Sequence, residues 1–328
     1  MIKRLVILLL AATLGTAVSM IYFLLTPITL PNTPYEFDVK SGISMKGVAQ
    51  QFAQAGVIRQ PFTFTFAARL SGKGSALKAG NYELASALTP WELLQKITKG
   101  DVSQAQVKFI EGWNFKQVRQ ALDKEPDLQH DTRGLSDAEI MAKLGLPQQH
   151  PEGRFFPDTY FFSSGMSDLA ILARAHKLMQ SHLESVWRER APNLPYRNMD
   201  EMLIMASIVE KETGQAAERP TIAGVFVNRL RIGMLLQTDP TVIYGLGQSF
   251  DGNLRKRDLL TDTPYNTYTR SGLPPSPIAM PGIEALRAAV KPAATNALYF
   301  VGRGNGTHKF SSSLEEHNQA VNKYQRNQ

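Results

Sequence analysis

Two glutamates stand two positions apart in the segment Val209-Glu210-Lys211-Glu212-Thr213-Gly214. A carboxyl group does acid–base work when its pKa is brought near the working pH, so that it can release a proton and recover one. The segment closes a run, Asp200–Thr213, in which Met202, Leu203, Ile204, Met205, Ala206, Ile208 and Val209 are apolar. Apolar on nearly every side, such a helix must be buried. Residues two apart on a helix point in different directions. Glu212 continues the stripe of Met205 and Val209, whereas Glu210 lies over Leu203 and Ala206; periodicity does not choose between them. Glu212 falls in the final turn, at the negative end of the helix dipole. That field and partial burial both disfavour the anion and raise the pKa. A carboxylic acid kept neutral near neutral pH is what protonation of a glycosidic oxygen requires. The same Glu-Lys-Glu run also fits a solvated helix end, and spacing alone leaves both open.

Other chemistries lack their apparatus. The six histidines are scattered without a His-Glu-x-x-His pattern, so no metal site is expected. There is no Gly-x-Ser-x-Gly elbow, dinucleotide fingerprint or phosphate loop, and no cofactor is called for. Ser207 lies inside the buried helix, where a nucleophile is poorly exposed. The chain has no cysteine, which excludes disulfides, thiolate zinc and a cysteine nucleophile. A net charge of +7 suits an anionic polymer or lipid, or simple solubility. No nucleic-acid motif accompanies it.

The elements around this helix can be read from caps and periodicity. Tyr35–Val39 alternates like a strand, and Ser44 is a candidate N-cap for a helix carrying Met45, Val48 and Phe52. A second helix is predicted near Pro61–Ser71, and a turn into a strand at Lys78–Leu84. Thr89-Pro90-Trp91-Glu92 has the marks of a helix start, and Gly100 of its end. Val107–Ile110 reads as a strand and Asn114–Leu122 as a short helix. Asp123–Gln149 is polar and irregular, and the main boundary is expected near it. Helices follow at Asp168–Arg190, at Asp200–Thr213 with Gly214 as its left-handed end, and from Glu218 to about Arg231. Asp239 and Pro240 are expected as N-cap and first residue of a short helix. A polar, proline-rich stretch covers Thr261–Gly282. Helix Ile283–Val290, strands Ala297–Val301 and Lys309–Ser311, and helix Leu314–Tyr324 complete the chain.

Lys3 and Arg4 precede an uncharged run, Leu5–Leu25, of 21 residues. A helix of that length spans roughly 30 Å, the hydrocarbon thickness of a bilayer. The basic residues keep the N-terminus cytoplasmic and send the rest of the chain outside. Ala17-Val18-Ser19 weakly resembles a signal cleavage site, but the run exceeds the roughly 7–15 residues of a signal core. An uncleaved anchor is therefore expected. Residues 26–34, with Pro27, Pro31 and Pro34, read as a stiff linker off the membrane.

Five blocks carry a resemblance: Gly153–Thr159, Met205–Thr213, Val225–Met234, Leu236–Gly245 and Tyr265–Pro275, with His308-Lys309-Phe310 near the end. Together they closely resemble the endolytic murein transglycosylases, the MltG or YceG-like family, over nearly the whole chain. The resemblance implies an α+β protein. It comprises a cytoplasmic N-terminus at 1–4, a transmembrane helix at 5–25, the linker, and a small LysM-like α/β domain at 35–105. A connecting region at 106–149 and a mainly helical, lysozyme-like catalytic domain with short flanking strands at 150–328 follow. It implies cleavage of the bond between N-acetylmuramic acid and N-acetylglucosamine within nascent peptidoglycan strands, at the periplasmic face of the inner (plasma) membrane. A peptidoglycan synthase is a candidate partner there. The family's catalytic glutamate matches Glu212, and Thr213 is similar to a hydroxyl neighbour that orients the substrate. Within the matching blocks, Gln237, Asn266 and Tyr268 suit sugar hydroxyl and acetamido contacts. Asp239 suits either capping or substrate contact. Tyr244 and Phe226 suit the core. Arg229 and Arg231 suit substrate carboxylates or a solvated helix face. Two other functions stay open: a non-catalytic anchor that binds peptidoglycan and recruits a synthase, and a muramidase that uses water with a second carboxylate such as Asp239.

Overall fold

The computed structural model describes residues 2–31, 33, 35–40, 42–84, 86–100, 105–162 and 164–326. Asn32 and Pro34 of the expected linker, Met1, and residues 101–104 of the expected LysM-like region lie outside the described residues. The fold is helix-rich α+β. It divides into two compact units, Met1–Ala105 with Phe161–Met166, and Gln106–Tyr160 with Ser167–Gln328.

In the first unit, helix Ile2–Leu25 contains a 20-residue window, Val6–Leu25, of mean hydropathy 2.2, none of which is fully buried. It is long and apolar enough to cross a bilayer. The chain then passes through strand Tyr35–Val39, helices Met45–Gln54 and Pro61–Leu70, strand Gly80–Leu84 and helix Pro90–Lys99. The two strands pair antiparallel with Phe37 opposite Tyr82. Their rings stack at 5.3 Å, and Phe52 meets Phe37 edge-on at 4.8 Å, the offset geometry that aromatic quadrupoles favour. Helix starts follow the sequence: Ser44 accepts from the Gly47 N–H, and Thr89 and Glu92 form a reciprocal capping box. Gly100, at φ 80°, ends the last helix in the left-handed region.

The second unit is organised around helix Met199–Glu212, in which every residue from Met202 to Val209 is buried. Helices Asp168–Arg188, Arg219–Arg231 and Ile283–Val290 pack around it. Ser207 donates to the Ile204 carbonyl and accepts the Ile278 N–H at 3.0 Å. Its hydroxyl is a fastener between helix and loop. Strands Tyr299–Gly302 and His308–Ser311 form an antiparallel hairpin, with Gly302 opposite His308.

Some expectations are corrected. The first strand of this region runs Ala105–Lys108, earlier than expected. The stretch read as irregular holds helix Asp137–Lys143, started by a Ser136–Glu139 capping box. Seven residues are too few to display a helical period. Helix Met199–Glu212 does not end on a left-handed Gly214: Thr213 leaves the helix in an extended conformation, φ −146° and ψ 136°. The short helix Asp239–Leu246 has Thr238, not Asp239, at its N-cap position.

One close approach fixes the hairpin's lead-in. A Cβ built on Gly224 would sit 2.6 Å from the Ala293 carbonyl oxygen and 2.9 Å from Thr295 Cγ2. The side-chain amide of Asn228, one turn further on, donates to the Thr295 carbonyl at 2.7 Å. Gly224→Ala must push backbone against backbone. It is expected to cost about 1–3 kcal/mol, read as a lowered midpoint in denaturant unfolding.

Candidate active site

The final turn of helix Met199–Glu212 delivers its two carboxylates to different places. Glu210 turns inward. It accepts the Gly282 N–H at 2.9 Å and pairs with Arg219 at 3.4 Å, its side chain 6% exposed. It therefore braces the 276–282 loop. Glu212, half-buried, faces a cleft of about 450 Å³. Arg229, Leu236, Gln237, Asp239, Tyr268, strand Tyr299–Gly302 and His308 line it, with Leu314 and His317 from the last helix.

Burial pushes the Glu212 carboxyl up to about 7, and the charge of Asp239 adds to the rise. A hydrogen bond from Thr238 Oγ1 to Glu212 Oε1, and the positive potential of His308 and Arg229, pull the other way. Buried Thr238 is itself held by Thr267 Oγ1, which accepts its N–H at 3.1 Å; Thr241 Oγ1 lies 2.9 Å from the same atom. Gln237, just before it, has φ 49°, a left-handed backbone that costs a non-glycine residue roughly 1–2 kcal/mol. That bend brings a buried threonine and the exposed side chains of Gln237 and Asp239 into one short turn.

Arg229 is buried and donates to the carbonyls of Leu298 at 2.6 Å, Leu236 at 2.8 Å and Leu235 at 3.1 Å. It clamps the hairpin to the turn before Gln237 and is no solvated helix face. Arg231 instead reaches the Asn193 carbonyl at 3.1 Å and does not line the cleft. Glu218 grips His308 twice, through the backbone N–H at 2.9 Å and ring Nδ1 at 2.7 Å. With Nδ1 taken, Nε2 is the imidazole atom left for the cleft side.

Of the residues singled out from sequence, Glu212, Gln237, Asp239 and Tyr268 meet in the cleft. Tyr268 Oη donates to Asp239 Oδ1 at 2.5 Å. Two do not. Asn266 is fully buried; its amide donates to the Leu259 and Thr261 carbonyls at 3.0 and 2.7 Å, and its oxygen accepts the Tyr268 N–H at 2.8 Å. It shapes the loop under Tyr268 instead of meeting sugar. Thr213 is buried, and its hydroxyl accepts the Gln215 N–H at 2.9 Å. The hydroxyl on Glu212 comes from Thr238. Phe226 is core, and Tyr244 is half-buried with its hydroxyl on Glu152. The sequence does not mark Thr238, His308 or Glu218 as site residues. Thr238 stands between polar Gln237 and Asp239, and only the fold brings its hydroxyl to Glu212. Among the described residues no cluster of ligands could hold a metal.

The YceG-like family model matches residues 37–323. The chain belongs to the YceG-like family. An endolytic murein transglycosylase of Bacillus subtilis is 34% identical over 89% of this chain and 85% of its own. One from Streptococcus pneumoniae serotype 2 is 26% identical over 86% of this chain, which spans 57% of that relative's length. The crystal structure of a YceG-like protein from Listeria monocytogenes superposes with a TM-score of 0.57 at 30% identity, covering 87% of this chain and 98% of the other. The family match thus takes in both the buried helix and the cleft hairpin of this YceG-like chain.

Glu212's raised pKa has a consequence for stability. Between its ordinary value of 4.5 and about 7, the folded protein holds more protons at this site than the unfolded chain does. Wild-type stability therefore falls as pH rises through that window. Glu212→Gln removes that fall. The variant is expected to be more stable than wild type at about pH 8, by on the order of 1–3 kcal/mol, with the difference shrinking towards about pH 4. Thermal unfolding across that range checks it; an equal gap at both ends would contradict a burial-driven shift.

Proposed function

We propose that this chain is a membrane-anchored peptidoglycan lytic transglycosylase in which one carboxyl group, Glu212, acts as both acid and base. The observation that carries this reading is a half-buried carboxyl, pushed up to about 7, facing a polar cleft. Protonated Glu212 gives its proton to the oxygen linking N-acetylmuramic acid to N-acetylglucosamine, and the C1–O bond breaks. The resulting carboxylate takes the proton of the muramyl C6 hydroxyl, whose oxygen attacks C1. Atoms balance without water, and the product is a 1,6-anhydromuramyl end. The carboxyl returns to its starting state. A carboxyl with its pKa near neutrality suits both halves.

Around it, Gln237, Asp239 and Tyr268 supply polar atoms for sugar hydroxyl and acetamido groups. The names of the relatives support the substrate class. The apolar span Val6–Leu25, preceded by Lys3 and Arg4, supports a single-pass anchor with a cytoplasmic N-terminus and a periplasmic catalytic region. The β-α-α-β order of Tyr35–Leu84 supports a LysM-like, glycan-binding role for residues 35–105. A neighbouring peptidoglycan synthase fits that location as partner.

Asp239 lines the same cleft, which keeps a water-using muramidase as the second reading. Mass spectrometry of sacculi digested by the protein separates the two: anhydromuramyl ends support the transglycosylase, reducing muramic acid the muramidase. Glu212→Gln is expected to lower release of anhydro ends by at least about 10²-fold. Activity like wild type would overturn the role of Glu212, and no digestion by wild type would favour a non-catalytic anchor. Thr238→Val removes a hydrogen bond that favours the anion, so Glu212 should keep its proton to higher pH. The alkaline limb of the pH–rate profile is then expected to move up; a downward move would contradict the geometry.

A further inference from the structure

We propose that helix Pro61–Leu70 is immersed in the outer leaflet of the membrane, with lipid acyl chains covering Phe62, Phe66 and Leu70. The inference rests on the reading of Ile2–Leu25 as a membrane span. Phe62 is 80% exposed, Phe66 59% and Leu70 69%. Spaced four apart, they form one continuous stripe on the helix. The opposite face is committed: Phe64, Ala67 and Ala68 are buried in the unit's core. The helix therefore cannot roll to hide the stripe. A contiguous exposed apolar patch on a folded unit marks an interaction surface.

What covers it follows from its neighbour. Phe62, Thr63 and Phe66 line a groove whose other wall is Ala12, Gly15, Thr16, Ser19 and Met20 of the apolar helix. The stripe is thus continuous with a surface that lipid sheathes. Its position there is built in. The chain leaves the span at Leu25, and by Ile28 it is part of the unit: Ile28 is buried and donates its N–H to the Leu88 carbonyl at 2.8 Å. Phe23 of the apolar helix packs on the same core. So short a connection holds the unit against the bilayer.

The polar groups beside the stripe suit a low dielectric. Thr65 Oγ1 donates to the Pro61 carbonyl at 2.8 Å, and Thr63 Oγ1 to Gln60 Oε1 at 3.0 Å. Neither hydroxyl would enter lipid without a partner. Arg59 and Arg69 are exposed at the two ends of the helix, where long stems let their charged heads extend away from the apolar stripe.

The absence of native cysteine makes the test clean. The full-length protein would carry a single nitroxide at Phe66→Cys, at Val18→Cys in the span, or at exposed Gln54→Cys. It would be reconstituted at low density in vesicles of phosphatidylethanolamine and phosphatidylglycerol. Collision with oxygen is compared with collision with a water-soluble nickel chelate. The log ratio at Phe66 is expected to share the sign found at Val18 and be opposite to that at Gln54. Should Phe66 match Gln54 while Val18 lies in lipid, the inference falls and the span stands. Should Val18 itself be aqueous, both fall. Shielding of Phe66 from both reagents, with spin–spin broadening, would show a second copy in the groove and would equally overturn the proposal.

Discussion

Desolvation of one carboxyl group governs the cleft. Taking Glu212 partly out of water disfavours its anion, and this outweighs the hydrogen bond and positive groups that favour it. The balance holds only while the carboxyl stays where it is. Helix Met199–Glu212 supplies that rigidity, because a run of eight buried residues from Met202 to Val209 has no direction in which to move without opening the core. The acid thus sits on the stiffest part of the unit, and the groups around it are brought to it.

Helix geometry divides the work of the two glutamates. Two positions along a helix are about 200° of rotation. Glu210 is turned towards Gly282 and Arg219, whose N–H groups consume its oxygens, and it ties down the loop that Ser207 also fastens. Among the described residues, Glu212 has one side-chain donor, the Thr238 hydroxyl, and it faces the cleft. Burial raises the pKa of both carboxyls; at Glu210 the Gly282 N–H and Arg219 oppose it, at Glu212 the Thr238 hydroxyl does, and Glu212 is the one that faces the cleft. The contrast comes from rotation and packing, since both side chains are chemically the same.

The sequence made the helix, its burial and its capped neighbours legible, because each depends on local period and on a capping residue a few positions away. Ser44 and Thr89 both cap where the sequence places them. Long-range contacts were a different matter. Asn266, as polar as Gln237 and in an equally well-matched block, is closed off by three carbonyls and an N–H that converge from its own loop. Thr213 adjoins Glu212 in sequence, but the extended backbone there turns its hydroxyl to Gln215, while Thr238 reaches the carboxyl across 26 positions. Polarity says that a residue can bind sugar. Only the backbone path says whether its polar atoms are already consumed.

The far wall of the cleft depends on a similar accounting of donors and acceptors. Arg229 is cationic and faces Glu212, which invites a role in binding an anionic substrate group. Yet its guanidinium is buried, lies 5.2 Å from the Tyr299 ring centroid, and already serves three backbone carbonyls. Drawing it towards a ligand would strip those carbonyls of a charged donor inside the protein, a cost of about 1–3 kcal/mol for each group left unsatisfied. Its charge acts through space on Glu212 while its hydrogen bonds hold the hairpin. Glu218 does for His308 what the carbonyls do for Arg229, fixing one ring nitrogen and orienting the other. The cleft wall beside Arg229 also carries the Gln237 side chain, the hydrogen-bonded Tyr268–Asp239 pair and the outward nitrogen of His308. Gln237 and Asp239 sit on the turn, and His308 on the hairpin, that Arg229 locks together.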